Sequence, residues 1–378
     1  MPDQPRQPLA NIDRLKEHMA AEGLAAVVVR SGKNFAYLSG VAFPGTLARH
    51  LDLADSPRDV FCIWPLDGEP AVITSALGVP VVQRDSWVTN VEVVQDYVES
   101  PRQKLAAVLT GMGLAGTRVG MEASYVNASR WAEMQALLPN ADFVDCTSLM
   151  NSVRWIKTPA EIALLKRAAD IQDDAHLEVF PTIRPGDRER DVHSRFMKSH
   201  LERGCHFVHG VLTSHRNTSM YLGESDLVIR AGDIIRTDYV SYLHGYPGHQ
   251  SRMAVVGQPS PDQARTYTDY RDIYLKLIER CTIGTKVSEL YFYGREMLLA
   301  KGFPHHPASF VGHSVGAWWH QQEPFLVKGW DVEIAENMVL AIEPYVDYWH
   351  LQDMVHVTGD GPRVLSNRFD TSSLFATD

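Results

Sequence analysis

Residues 12–30, IDRLKEHMAAEGLAAVVVR, place apolar side chains at helical spacing up to Gly23 and then in an unbroken run. This predicts an amphipathic helix stopped at the glycine, followed by a buried strand. NFAYLSG follows as a loop or short helix. VFCIWPLDGEPAVITS has apolar runs on either side of Asp67-Gly68, the pattern of a hairpin turning there. PRQKLAAVLTGMGL reads as a helix, RVGMEA as a strand, ASRWAEMQALLP as a helix and DFVDC as a strand. Strands alternating with helices predict an α/β domain with a largely parallel sheet.

The pattern changes near residue 150, so two domains are expected, 1–150 and 151–378. After NSVRWIK, Thr158 is placed to cap a helix, Pro159 suits its first position and Glu161 closes a capping box. The long amphipathic run PAEIALLKRAADIQDDAHLEVF follows. The second half carries a faint internal repeat. IRPG at 183–186 opens a helical segment that ends at Gly204, and CTIG at 281–284 opens one that ends at Gly302. HFVHG follows the first and SFVGH the second. Two related halves with a site between them are the implied arrangement.

Composition narrows the function classes. The chain has 378 residues, 45% of them hydrophobic and 22% charged, which is enough to bury a sizeable core. A net charge of −10 and the lack of a Lys/Arg stripe argue against nucleic acid. Cys62, Cys146, Cys205 and Cys281 are far apart, with no CxxC pair, against both a disulfide framework and a structural zinc site. The polar start MPDQPRQPLA does not read as a signal peptide, and no apolar run reaches the roughly 18 residues of a membrane span. A cytoplasmic location is the expectation.

Four later segments hold the candidate chemistry: RTDYVSYLHGYPGHQSR with Asp238 and His249; SFVGHSVGAWWHQQEP with His313, His320 and Glu323; NMVLAIEPYV with Glu343; HLQDMVHVTGDG with Gln352, Asp353 and His356. An acid ending an apolar run is costly to bury alone. Each residue has an ordinary explanation: Glu343 paired with a buried arginine or capping amides, Asp238 paired with Arg236 or Arg252, His313 as a structural loop histidine. His244 and His356 read best as surface or satisfied core residues. The combination of Asp, two His and Glu at strand or loop ends points to a site. GHSVG also fits the G-x-S-x-G nucleophile elbow, with Ser314 central and Asp353 and His356 downstream. That elbow needs a strand before it and a helix after it, and AWWHQQEP is a poor helix start.

These segments, in this order, resemble the M24 pita-bread family of prolidase, aminopeptidase P, methionine aminopeptidase and creatinase. NFAYLSG is similar to the creatinase and prolidase N-terminal motif, and VRWIKTPAEIALLKRAADI to the interdomain crossing. GDIIRTD, GYPGHQSR, GHSVG, IEPYV and QDMVHVT match the family's blocks. The resemblance implies an α/β (α+β) chain: an N-terminal creatinase-like domain, a C-terminal pseudo-twofold pita-bread domain, and a homodimer. Metal-dependent members hold two divalent ions with two aspartates, a histidine and two glutamates. By resemblance Asp238, His313 and Glu343 keep three of these places. His249 stands at the second aspartate and Gln352 at the second glutamate. Two carboxylates cannot balance two divalent ions at low dielectric, so a two-metal centre is rejected. The cofactor expectation is none or one divalent ion (Zn, Fe or Mn), held by Asp238, His249, His313 and Glu343.

Creatinase is the metal-free member, and GHSVGAWWH resembles its histidine segment. Its catalytic histidine falls here at Tyr221 or Leu222, and its catalytic glutamate at Ser251. The same missing histidine holds substrate in prolidase-like members. The leading expectation is therefore a hydrolase cleaving a C–N bond of a small polar metabolite, creatinase-like rather than a standard dipeptidase. His313 or His249 would shuttle the proton, with its tautomer set by Asp238 or Glu343. Glu343 would activate water, and His320 would bind the oxyanion. Tyr221, Tyr246, Trp318, Gln352 and Arg252 are expected to contact substrate, with Trp318 and Trp319 walling the pocket. The alternatives are a single-metal hydrolase of the Xaa-Pro peptidase kind or a lyase, and a binding module without catalysis.

Overall fold

The computed structural model describes residues 7–43, 58–219, 225–303 and 310–377. The chain forms two compact units, Met1–Arg154 and Trp155–Asp378.

The first unit is a six-stranded sheet with helices between its strands. Helix α1 (Ile12–Glu22) is capped by Asn11 and ends at Gly23, whose φ of 66° is the left-handed turn a glycine allows. It leads into β1 (Ala26–Arg30), and NFAYLSG forms most of the short helix α2 (Lys33–Ser39). The predicted hairpin is β2 (Phe61–Pro65) and β3 (Ala71–Ser75). Helix α3 (Val79–Asp85) carries the chain to β4 (Asn90–Val94). Then come α4 (Pro101–Gly111), β5 (Arg118–Met121), α5 (Ala128–Leu137), β6 (Asp142–Asp145) and α6 (Thr147–Trp155). The strand order is β4-β3-β2-β1-β5-β6. The sheet is mixed rather than largely parallel. The hairpin inserts two antiparallel pairings, β1–β2 and β2–β3, and the remaining three are parallel.

The second unit shows the internal repeat in its geometry. Helix α7 (Pro159–Val179) begins with the predicted Thr158–Glu161 capping box. Helix α9 (Pro261–Glu279) begins with a matching Ser260–Gln263 box, also followed by proline. Each such cap is worth about 1 kcal/mol. Helices α8 (Glu189–Glu202) and α10 (Val287–Ala300) are 14 residues each. Gly186 N–H donates to Ile229 O and Gly284 N–H to Ile334 O, both at 2.9 Å, so the two helices are entered the same way.

Each half contributes a sheet. The first contains β7 (Phe207–Ser214), β8 (Ile234–Leu243), β9 (Tyr246–Gln250), β10 (Met253–Val256) and β16 (Phe375–Thr377). The second contains β11 (Phe310–Ser314), β12 (Gln322–Val327), β13 (Val339–Ile342), β14 (Asp353–Thr358) and β15 (Gly361–Val364). Strands β8 and β9 turn over at His244-Gly245, with φ of 50° and 80°. Helix α7 lies directly on β9: a Cβ on Gly248 would sit 2.2 Å from Ala168 O, so only glycine permits this approach. The sheets meet at one point important for the site, an antiparallel bridge between Ser251 and Gln352.

Candidate functional site

Both halves of the second unit feed one buried cluster. Asp238 lies on β8 and His249 on β9. His313 is on β11, Glu343 directly follows β13, and Gln352 directly precedes β14. His249 is 3% exposed, His313 1%, Glu343 5% and Gln352 0%. One donor atom from each of His249, His313 and Glu343 falls within 4.8 Å of the other two, the one such group among the described residues. Asp238 stays outside it, bonded to His249 Nε2 at 3.1 Å. The expected four-donor set thus narrows to three mutually close donors, with Asp238 Oδ1 set against His249 Nε2.

Hydrogen bonding fixes what each imidazole presents. His313 Nδ1 lies 2.9 Å from Ser314 O, a pure acceptor, so Nδ1 carries a proton. Its Nε2 then faces Glu343 Oε1 at 3.0 Å. A lone pair cannot face a carboxylate at that distance, so either a proton or a cation lies between them. His249 is held at both ends, by Asp238 and by the Gln352 amide 2.8 Å from Nδ1. Gln352 Oε1 is buried without a hydrogen-bond partner. Turning the amide over would let Oε1 accept from Nδ1–H and leave the Nε2 lone pair facing Asp238 Oδ1 at 3.1 Å, where again a proton or a cation must lie between the two atoms. Asp238 and Glu343 find histidine rather than arginine as their hydrogen-bonding side chains.

The electrostatics follow from these contacts. Burial alone would push His313 down, but the Glu343 charge and hydrogen bond, the Ser314 carbonyl and Asp238 outweigh it, and its pKa is raised. Burial pushes Glu343 up, yet His313, His350 and His249 together lower it to about 2. For Asp238, burial is likewise outweighed by His249, His350 and Arg236, which hold it well below the usual carboxylate range. Burial, then His249, His313 and His209, drive His320 far down, so it stays neutral. Its Nδ1 is 3.3 Å from the Tyr242 hydroxyl, and as acceptor it leaves Nε2–H as a donor. That suits the expected oxyanion role.

In the metal-free chain the His313–Glu343 pair gives a pH-dependent stability. The raised His313 contributes fully below about pH 6.5 and is lost as pH rises through its folded value. Glu343 contributes above about pH 4.5 and is lost as pH falls towards about 2. Thermal melting of chelator-treated protein is expected to show this contribution at its fullest between about pH 4.5 and 6.5. The dependence should flatten in Glu343→Gln; an unchanged profile in that variant would remove the pair from the account.

Other expectations are redirected. The Arg252 guanidinium is 1% exposed and donates to Asp173, Asp353, Ser251 O and Gln352 O. It braces the Ser251–Gln352 junction instead of meeting substrate. Tyr246 is buried, its hydroxyl donating to Glu161 at 3.1 Å. Trp318 has φ of 69°, and its N–H donates to Gly245 O at 2.7 Å, tying the loop to the β8–β9 turn. Trp319 is 45% exposed and stacks on His209 at 6.0 Å. Tyr221 lies outside the described residues. Ser314 ends a strand paired on both sides and accepts from Lys157 Nζ at 2.9 Å. Asp353 is held by Arg252 and His356 by Asn337, so no serine triad forms.

Two residues at the site escaped the sequence reading. His350 Nε2 lies 3.4 Å from Glu343 Oε2, and its only sequence signal is its place two residues before Gln352. His209 sits 5.2 Å from His320, ring centre to ring centre, and burial, then His249, pushes it down to about 4.

Comparison with known proteins agrees with this layout. Residues 163–359 match metallopeptidase family M24, and residues 11–156 match the creatinase/prolidase N-terminal domain. The probable dipeptidase PepE of Mycobacterium tuberculosis is 26% identical over 92% of this chain and 91% of its own length. The Xaa-Pro dipeptidase of Lactobacillus delbrueckii is 23% identical over 88% of this chain and 89% of its own. The structure of X-Pro aminopeptidase from Thermotoga maritima superposes with a TM-score of 0.81 at 18% identity, covering 97% of this chain and 99% of that one. That likeness establishes the fold. Together with the family match over the site-bearing unit, it leads to one assignment: the chain belongs to metallopeptidase family M24.

Proposed function

We propose that this protein hydrolyses the amide C–N bond of a short, peptide-like substrate at a centre holding a single divalent ion. The observation that carries the reading is the His313–Glu343 contact, Nε2 and Oε1 3.0 Å apart across a position that must hold a proton or a cation, with His249 alongside. These are ordinary donors for Zn, Fe or Mn, and the buried, polar setting fits one ion. Two ions do not fit, because His249 and Gln352 have replaced two negative charges. Such an ion, when bound, polarises a carbonyl and lowers the pKa of water.

The remaining roles belong to the chain. Ser314 O holds His313 in one tautomer, while Gln352 and Asp238 hold His249. The low pKa of Asp238 makes it a fixed anion that orients its histidine rather than a strong base. His320 Nε2–H offers a neutral donor beside His249, whose ring centre is 4.5 Å away, where negative charge would develop on a carbonyl oxygen.

The relatives named as Xaa-Pro dipeptidases support the peptidase-like alternative over the creatinase-like metabolite hydrolase that the sequence had put first. The expected homodimer belongs to the same proposal and rests on the family resemblance. No helix among the described residues is long and apolar enough to cross a membrane. Incubation with Xaa-Pro dipeptides and with creatine, before and after chelation, tests the reading. It expects chelator-sensitive cleavage of a dipeptide; chelator-resistant cleavage of creatine alone would reverse it.

A further inference from the structure

An aromatic wall runs from solvent to the buried cluster. Phe207 and His209 are two apart on β7, so they share one face of the strand, with ring centres 5.5 Å apart. Tyr242 stands opposite Phe207 on β8, 5.7 Å from it, and stacks on His209 at 6.0 Å. Trp319 lies nearly parallel to His209, with 13° between the planes, and meets His320 at 4.7 Å. His320 in turn reaches His249 at 4.5 Å. The outer end of the wall is open: Phe207 is 53% exposed and Trp319 45%. Large rings left in water beside a buried polar centre gain free energy when a ligand covers them. The wall is also neutral. Burial, then His249, pushes His209 down to about 4, and His320 is uncharged for the reason given above.

We propose that Phe207, His209 and Trp319 form a specificity subsite for an uncharged aromatic side chain, on the substrate residue that supplies the scissile carbonyl. This deepens the peptidase reading above and rests on it. The position follows from His320. Its Nε2–H is the donor for that carbonyl oxygen, and His209 and Trp319 both flank its ring, so the side chain next to the carbonyl falls against them. The class follows from the lining. An aromatic ring packs on other rings edge-on or offset at separations of the kind seen here. A carboxylate would lose its water with no cation among these rings to replace it. A cation is the competing occupant, because ring faces attract it. Among the described residues no carboxylate is bonded to His209, Tyr242 or Trp319, and that favours the neutral ring.

The test is a set of Xaa-Pro dipeptides with Phe, Leu, Ala, Asp or Lys as the first residue. They are given to wild type, Phe207→Ala, Trp319→Ala and Trp319→Phe, with melting curves and light scattering to show that each variant folds and keeps its assembly. Both kcat/KM and calorimetric binding to chelator-stripped protein are read, so the subsite is judged whether or not a peptide is cleaved. Phe-Pro is expected to exceed Ala-Pro by at least about tenfold in wild type. That ratio should fall towards one in Phe207→Ala and Trp319→Ala and be kept in Trp319→Phe. Equal values for Phe-Pro and Ala-Pro, or a lead for the Lys or Asp peptide, would overturn the proposal. So would an unchanged ratio in both alanine variants; if their assembly were lost instead, the rings would belong to a contact with a second copy. Selective binding of Phe-Pro without cleavage would support the subsite and strike the peptidase reading alone.

Discussion

Glu343→Gln is expected to leave a folded chain that no longer holds an ion and whose turnover has fallen by at least about a thousandfold. The first half follows from hydrogen bonding. The glutamine amide can donate to His313 Nε2, which the Ser314 carbonyl leaves as an acceptor in the neutral ring. The buried imidazole keeps a partner, so the variant should still fold, melting below wild type by the ion-pair and ion-binding contributions it has lost. The second half follows from charge. Glu343 is the one carboxylate in the three-donor cluster, and an amide is a weak ligand. Losing several kcal/mol of Lewis-acid stabilisation corresponds to three or more powers of ten in rate. Glu343→Ala is predicted to behave differently. It strips His313 of its partner in a site 1% exposed, and the cost should reach about 3–5 kcal/mol of stability. Metal analysis and melting of the two variants separate the effects; Glu343→Gln with full turnover would remove the residue from catalysis.

A second large effect is expected from His249 and Gln352 together. The double substitution His249→Asp with Gln352→Glu puts four carboxylates at the positions that, by the resemblance, hold two ions in metal-dependent members. The expected outcome is a rise from about one to about two bound ions per chain in Mn(II) or Co(II) titrations, because four negative charges then balance two divalent ions. The metal-free double variant should melt below wild type, since the added acids would repel one another and Asp238 and Glu343 when no cation is present. Each single substitution should fall short of a second ion. His249→Asp alone leaves the Gln352 amide in place, and Gln352→Glu alone faces the His249 ring, 2.8 Å from the present amide nitrogen. A double variant that still binds one ion would mean that more than these two residues has closed the second position.

Much of this architecture is legible in the chain. The capping signals at Thr158–Glu161, the hairpin at Asp67-Gly68 and the IRPG/CTIG repeat are local, and local chemistry decides them. The order of the acid and histidine blocks places Asp238, His249, His313, Glu343 and Gln352 around one point because each sits on or beside a strand. What the sequence does not carry is side-chain direction after folding. Arg252 looks like a substrate contact in GYPGHQSR, yet its partners Asp173 and Asp353 are 79 and 101 residues away. Asp238 reads as a direct ligand, and only the β8–β9 pairing turns it onto His249. His350 is inconspicuous in HLQD until the Ser251–Gln352 bridge brings it to Glu343. The first unit's sheet shows the same limit. Its hairpin is readable, but the mixed pairing it forces on β1, β2 and β3 depends on which neighbours those strands choose.

On this reading the site takes one ion, no more and no fewer. Elemental mass spectrometry of the purified chain, paired with peptidase activity before and after chelation and re-addition of metal, tests it most directly. The account predicts about one divalent ion per chain, with activity lost on its removal and restored on its return. Two ions per chain, or full activity in metal-free protein, would contradict it.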